Sequence, residues 1–234
     1  MAALEKLDIR LPERGSRAFR YRATRADRGV VAQIFESQDY SLGRLQRGAD
    51  LVALYERIGR PLILDLGANI GAAAVYFGMH FPRAHIVALE PQADNFALLK
   101  ENVAGLDVDA RLAAIGSRDG EAALVDPGEG EWGYRTSAGR GVRMESAARL
   151  VAEKMAAGYA PYIAKIDIEG AEAELFAGDT AWAERFPLVI IELHDWLLPR
   201  AGTSRAFLSW AAAQPRDFVP IGENVFSIAH QWDS

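Results

Sequence analysis

Residues 62–71 read LILDLGANIG, and residues 86–91 read IVALEP. An apolar run opens into a loop with glycines at 67 and 71, and a second apolar run ends in a carboxylate, Glu90. Glycines at those positions let backbone approach a ligand where any Cβ would collide. An acid at the tip of the next strand can accept both hydroxyls of a ribose. Nineteen residues separate Gly71 from Glu90, close to the interval of about 20 that joins such a loop to a ribose-binding acid. The plain alternative, a tight strand-to-helix turn without a ligand, leaves Asp65 and Glu90 without a reason to fall in register. The pattern points to an enzyme that holds a nucleotide-type cofactor.

Strand and helix signals alternate outward from this stretch. Strand 62–66 precedes helix 70–80, strand 85–89 precedes helix 93–103, and a further strand lies near Arg111 to Ile115. Residues 116–133 are dominated by Gly, Asp, Glu and Pro and read as loop with one short strand, Ala122 to Val125. Residues 144–157 suit an amphipathic helix. Strands 162–167 and 187–193 flank a helix that begins near Gly170, and a helix around 203–213 leads to strands 217–221 and 225–229, joined by Gly222-Glu223-Asn224 as a hairpin. Such alternation implies an α/β fold with a doubly wound, mostly parallel sheet, closed by an antiparallel hairpin.

Upstream, Leu45, Ala49, Val52, Tyr55 and Ile58 fall at helical spacing. Phe19, Tyr21 and Ala23 alternate with Arg20, Arg22 and Thr24, a half-buried strand, and Ala26-Asp27-Arg28-Gly29 reads as a turn into a second strand, Val30 to Phe35. The domain reading is an N-terminal hairpin and helix over 1–58, acting as lid or dimer contact, and a cofactor-binding domain over 59–234. Eight Lys or Arg stand among the first 28 residues. They form either a basic rim for an anionic substrate or an edge strand protected by charge.

The chain has 234 residues, half of them hydrophobic and 25% charged, with a net charge of −6 and no cysteine. The absence of cysteine excludes disulfides, thiolate zinc and cysteine nucleophiles. The acidic balance argues against a nucleic-acid partner. The longest uncharged stretch, Leu66 to Pro82, is broken by three glycines, an asparagine and a histidine, so no membrane span is expected. The first residues mix both charges and do not read as a secretory signal. A cytoplasmic protein is the expectation, with a homodimer as one possible assembly.

The loop chemistry narrows the cofactor. The nicotinamide fingerprint G-x-G-x-x-G has a middle glycine where this chain has Asn69, and no phosphate-binding P-loop is present. Asp65 places a carboxylate at the strand end, which repels a diphosphate but suits an ammonium. S-adenosylmethionine carries an amino-acid end, a sulfonium and a ribose, and no phosphate. The D-x-G-x-x-x-G arrangement favours it over NAD. An NAD-dependent oxidoreductase and a non-catalytic cofactor-binding module are the rival readings.

LDLGANIG, ALEP followed by N-F-x-L-L-x-x-N over 95–102, KIDIEGAE over 165–172 and IIELH over 190–194 occur together in this order. The combination resembles the FkbM family of class I S-adenosylmethionine-dependent methyltransferases, over about Ile34 to Ser227. The resemblance implies a seven-stranded sheet ending in an antiparallel hairpin, and methyl transfer to an oxygen, often a hydroxyl of a sugar or natural product. One departure is Arg143-Met144-Glu145-Ser146, where the family commonly has Thr-Leu-Asp.

Ligands of an open α/β sheet sit beyond the carboxyl ends of its strands. The cofactor candidates are therefore Asp65, Gly67, Ala68, Asn69, Gly71, Glu90, Pro91, Ala114, Ile115 and Asp167, with residues 113–116 along the adenine. The catalytic candidates are His194, Asp167 and Glu169, with His194 as the base because imidazole titrates near neutrality. Glu172 reads as helix N-terminal stabilisation, and His80 and His85 as structural. Asp167, Glu169, Glu192 and His194 could together hold a divalent ion, but hydrogen bonding without metal is the favoured reading. Trp132, Tyr134, Tyr159 and Tyr162 could roof a small hydroxylated acceptor, or pack under the helix at 144–157, and Trp196 is the preferred acceptor contact.

Overall fold

The strands that flank the glycine loop are buried on both faces, and alternate residues feed two different cores. The computed structural model describes residues 3–11, 15–125, 135–139 and 141–232. Ile63, Ile86, Ala88, Leu188 and Ile190 enter one core with the helices that follow the glycine loop. Leu62, Leu64, Leu66, Val87, Leu89, Ala164, Ile166, Val189 and Ile191 enter the other. This period of two, apolar on both sides, is what a parallel sheet sandwiched between helix layers requires.

The elements in chain order are β1 (Leu4–Leu11), β2 (Gly15–Arg22), α1 (Arg25–Val31), α2 (Gly48–Arg57), β3 (Pro61–Leu66), α3 (Ala72–His80), β4 (His85–Glu90), α4 (Ala93–Asn102), β5 (Val108–Leu112), β6 (Ala114–Gly116), β7 (Gly120–Val125), β8 (Arg135–Ala138), β9 (Val142–Ser146), α5 (Ala147–Ala156), β10 (Ala160–Ile166), α6 (Glu172–Leu175), α7 (Ala181–Glu184), β11 (Leu188–Glu192), α8 (Arg205–Ala212), β12 (Arg216–Ile221) and β13 (Asn224–Ala229). The central sheet has seven strands in the order β12-β13-β11-β10-β3-β4-β5. Strands β11, β10, β3, β4 and β5 pair in parallel, while β13 pairs antiparallel with both β11 and β12. The fold is thus the doubly wound α/β sheet with its terminal antiparallel hairpin. Strand order reverses between β3 and β10, so a crevice opens there.

Three local readings change. Val30 to Phe35 is helical: α1 runs into a π-helical turn, Ala32–Glu36. Thr24 caps α1 by accepting from the Asp27 amide, which satisfies one of the orphan donors of the first turn. The strand read at residues 19–23 is real as β2, and its partner is β1. Residues 142–146 form β9 in a small second sheet of order β6-β9-β7-β8, and α5 starts only at Ala147, capped by Ser146. Of the residues read as one face of α2, Tyr55 is buried, whereas Val52 is exposed and Leu51 and Leu54 take the inner positions.

Arg17 and Arg22 help to dock the N-terminal hairpin onto α4. Arg17 donates to the Asn102 and Ala104 carbonyls at the end of α4, where cations complement the helix dipole. Arg22 pairs with the buried Asp27 at 2.8 Å and donates to Asn95 Oδ1 at 2.8 Å. The Asn102 side chain accepts from the Arg20 amide and donates to the carbonyls of Arg20 and Ile70, each at 2.8 Å. One buried amide therefore ties β2, α4 and the glycine loop together.

Candidate active site

The end of β3 is held by an ion pair that register creates. Lys165 stands directly opposite Asp65 across the parallel β10–β3 pairing. Lys165 Nζ lies 3.1 Å from Asp65 Oδ1 and 3.5 Å from Asp167 Oδ2, and donates to the Gly67 carbonyl at 2.6 Å. Asp65 is fully buried and Lys165 nearly so. Burial opposes the ammonium charge, but the carboxylates of Asp65 and Asp167 outweigh it and hold the lysine above its ordinary pKa. Asp65 thus already has an ammonium of the protein itself beside it.

The glycines serve close backbone packing. Gly67 has φ +80°, and a Cβ there would stand 1.7 Å from the Asp167 carbonyl oxygen. Gly71 has φ +89°, and its Cβ would meet Leu99 Cδ1 at 2.8 Å. At both positions an added side chain would collide with neighbouring chain. Between them Asn69 also takes a positive φ, 48°, a conformation asparagine adopts more readily than most residues. Its amide donates to Glu90 Oε2 at 2.8 Å, and the Gln92 amide donates to Glu90 Oε1 at 2.9 Å. Burial pushes the Glu90 carboxyl up to about 7 against these two hydrogen bonds. Ala68, Ala114 and Ile115 are buried, Pro91 is half-buried, and the Ala113 amide donates to the Glu90 carbonyl. The expected cofactor residues after β3 and β4 are thus brought to one rim.

The ends of β10 and β11 carry a second group. His194 is 1% exposed, and its Nδ1 is hydrogen-bonded to Glu172 Oε1 at 2.7 Å. Its Nε2 faces Asp167 Oδ1 and Glu169 Oε2, each at 3.5 Å, and Glu192 Oε1 at 3.6 Å. Glu169 holds φ +54°, a conformation costly for a residue with a Cβ and typical of functional sites. Burial, and next the Asp167 charge, push the carboxyls of Glu169 and Glu192 up, to about 7 and about 8. Burial works against a charged His194, yet the Glu172 hydrogen bond and the Asp167 charge prevail and raise it to about 9. Glu172, expected only to stabilise a helix end, orients the ring.

A cavity of about 520 Å³ joins the two groups, with Asn69, Asp167, Glu169, Glu192 and Trp196 in its wall. Trp196 is 64% exposed and its ring lies 6.4 Å from that of His194. Other aromatic candidates lie elsewhere. Tyr162 is buried with its hydroxyl on the Leu51 carbonyl, and Tyr159 stacks on His85 at the opposite end of β10. Trp132 and Tyr134 fall outside the described residues. His85 bonds Asp107, and His80 bonds the Tyr76 carbonyl, both structural. Lys165 and Asn102 are the contributors that sequence reasoning assigned no role, although both lie inside the quoted motifs.

Residues 65–214 match the Methyltransferase FkbM domain, a span that contains both groups. The chain belongs to the FkbM family of methyltransferases. FkbM membership makes S-adenosylmethionine the methyl donor. Solved structures of methyltransferases are similar to the chain at low sequence identity. An O-methyltransferase from Bacillus cereus in complex with SAH is 14% identical with a TM-score of 0.46, covering 86% of this chain and 96% of that one. A precorrin-6y C5,15-methyltransferase from Geobacter metallireducens is 11% identical with a TM-score of 0.42, covering 77% and 84%. A methyltransferase from Geobacter sulfurreducens is 17% identical with a TM-score of 0.37, covering 85% and 88%. A search of curated protein sequences finds no match. Among the described residues no helix is long and apolar enough to cross a membrane.

Proposed function

We propose that this FkbM methyltransferase moves the methyl group of S-adenosylmethionine to a hydroxyl of a small molecule, of the sugar or natural-product kind. The observation that carries this reading is the convergence of Asp167, Glu169 and Glu192 on one wall of the cavity that Asn69 also lines. Methyl transfer to oxygen needs the hydroxyl in line with the sulfonium methyl and a base for its proton. Alignment and the positioned base are the two contributions a protein can make here. A carboxylate group at the strand ends supplies the base and complements the sulfonium charge.

In this reading Glu90 takes the ribose hydroxyls. Each of its oxygens accepts one backbone amide, and an ionised carboxylate has about four lone-pair sites, so acceptor capacity is left for the sugar. The loop 67–71 carries the methionine end, while Ala114 and Ile115 border the adenine. Glu169, at the cavity wall, receives the hydroxyl proton. Asp167 lies beside the sulfonium, and Trp196 covers the acceptor. No nucleic acid or membrane partner is part of this proposal, and a pair of identical chains is its simplest assembly.

A screen of hydroxylated small molecules with radiolabelled S-adenosylmethionine tests the reaction. Label transferred to an oxygen is the expected result. Tight cofactor binding with no acceptor ever labelled would favour the non-catalytic module. Label on nitrogen alone would move the reaction class.

A further inference from the structure

We propose that Asp167, Glu192 and His194 form a site for one divalent first-row metal ion of the Mn²⁺ kind, which holds the acceptor oxygen beside the carboxylate of Glu169. The half that concerns the acceptor rests on the hydroxyl methylation proposed above, whereas the site itself does not.

The distances are the first reason. The donor atoms of the three residues all lie within 4.8 Å of one another. The Nε2 to carboxylate separations of 3.5–3.6 Å are too long for good hydrogen bonds. They suit two ligands of one ion, because donors about 2.2 Å from a metal stand roughly 3.1 Å apart at a right angle and roughly 4.4 Å apart when opposite. His194 is the second reason. It is buried at 1% exposure, its Nδ1 is fixed by Glu172, and its Nε2 points into the carboxylates with no hydrogen bond to any described residue. A carboxylate holding one ring nitrogen so that the other can bind a metal is the common outer arrangement of metal-binding histidine.

Charge is the third reason. Asp65, Asp167, Glu169, Glu172 and Glu192 crowd this end of the sheet, while the lysine there, Lys165, is engaged by Asp65 and the Gly67 carbonyl. A dication among them would balance the excess acid. One imidazole with carboxylates selects first-row ions of the Mn²⁺ type over Ca²⁺, which prefers all-oxygen shells, and the chain has no cysteine to favour thiolate zinc.

Titrating the chelator-treated full chain with Mn²⁺, with free ion followed by electron paramagnetic resonance, tests the site. We expect one bound ion per chain. Glu192→Gln and His194→Gln should each weaken it at least about tenfold, and Glu172→Gln, which only releases the ring, by about 10–100-fold. Circular dichroism confirms that each variant is folded, and Glu192→Gln decides the matter if the buried histidine variant is not. No uptake by the folded wild-type chain, or uptake unchanged in Glu192→Gln, overturns the proposal. Methyl transfer that persists in chelator with no ion bound removes the ion and spares the reaction. A bound ion with no hydroxyl labelled keeps the site and removes the reaction.

Discussion

The rim formed after β3 and β4 and the cluster after β10 and β11 lie side by side, yet they are built on opposite principles. In the rim, charged and main-chain groups pair with one another: Lys165 meets Asp65, and two amides bind Glu90. In the cluster, three carboxylates face a single ring nitrogen at distances that satisfy none of them. A preorganised rim holds a ligand with little rearrangement. A like-charged cluster stores unfavourable interaction that a cationic partner can relieve. The contrast teaches that paired and crowded polar groups can be divided between adjacent strand ends of one sheet.

The sharpest way to break the comparison is to disturb the rim. Gly67→Ala places a Cβ on the Asp167 carbonyl oxygen at a positive φ and should cost more than about 4 kcal/mol of stability in denaturant unfolding; a loss under about 1 kcal/mol would show that the rim is pliant. Lys165→Met leaves Asp65 buried without its cation, with an expected loss of about 3–5 kcal/mol. Adding Asp65→Asn should recover much of that loss, and a strictly additive double variant would deny the pairing.

Glu90→Ala should weaken S-adenosylmethionine binding by about 1–3 kcal/mol in calorimetry, through lost charge-assisted hydrogen bonds. Unaltered affinity would remove Glu90 from the ribose. The same residue gives a pH test. Its folded pKa of about 7 lies above the ordinary value of 4.5. Its contribution to fold stability is therefore full below about pH 4.5 and is lost as pH rises through about 7. Cofactor affinity should run the other way, since ribose hydroxyls donate to the ionised form. We expect up to about tenfold tighter binding at pH 8 than at pH 6, with a flat profile in Glu90→Gln.

The smallest effect belongs to the cluster and has the opposite sign. Above about pH 8, where its carboxyl is ionised, Glu192→Gln removes one of the crowded charges and should stabilise the fold by about 0.5–2 kcal/mol in thermal unfolding while lowering turnover. Destabilisation would mean that the carboxylates are already balanced.

The part of the fold legible in the sequence is the part governed by local pattern. Leu62–Leu66 and Ile86–Leu89 are short, apolar and bounded by loop residues, and helix length and glycine punctuation settle the rest of the sheet. Val30 to Phe35 misleads because Val30, Val31, Ile34 and Phe35 have strand-forming side chains, whereas the deciding group, the Thr24 cap, is one hydroxyl. Residues 144–146 mislead because β9 is defined by partners, β6 and β7, whose paired residues lie twenty to thirty positions upstream. The site follows the same division. Glu90, Asp167, Glu169 and His194 are visible at strand ends. Lys165 looks like an ordinary solvated lysine until the β10–β3 register sets it against a carboxylate one hundred residues away. Glu172 looks like a helix-end acid until the chain after β11 brings His194 to it.

Asn102 gives the first two strands a reach beyond their own surface. Because a single side-chain amide grips both the Arg20 peptide and the Ile70 carbonyl, removal of β2 would be felt at the glycine loop. Residues that look like a detachable prefix are thereby tied into the body of the fold, and a chain shortened through them would bring a slackened turn with it.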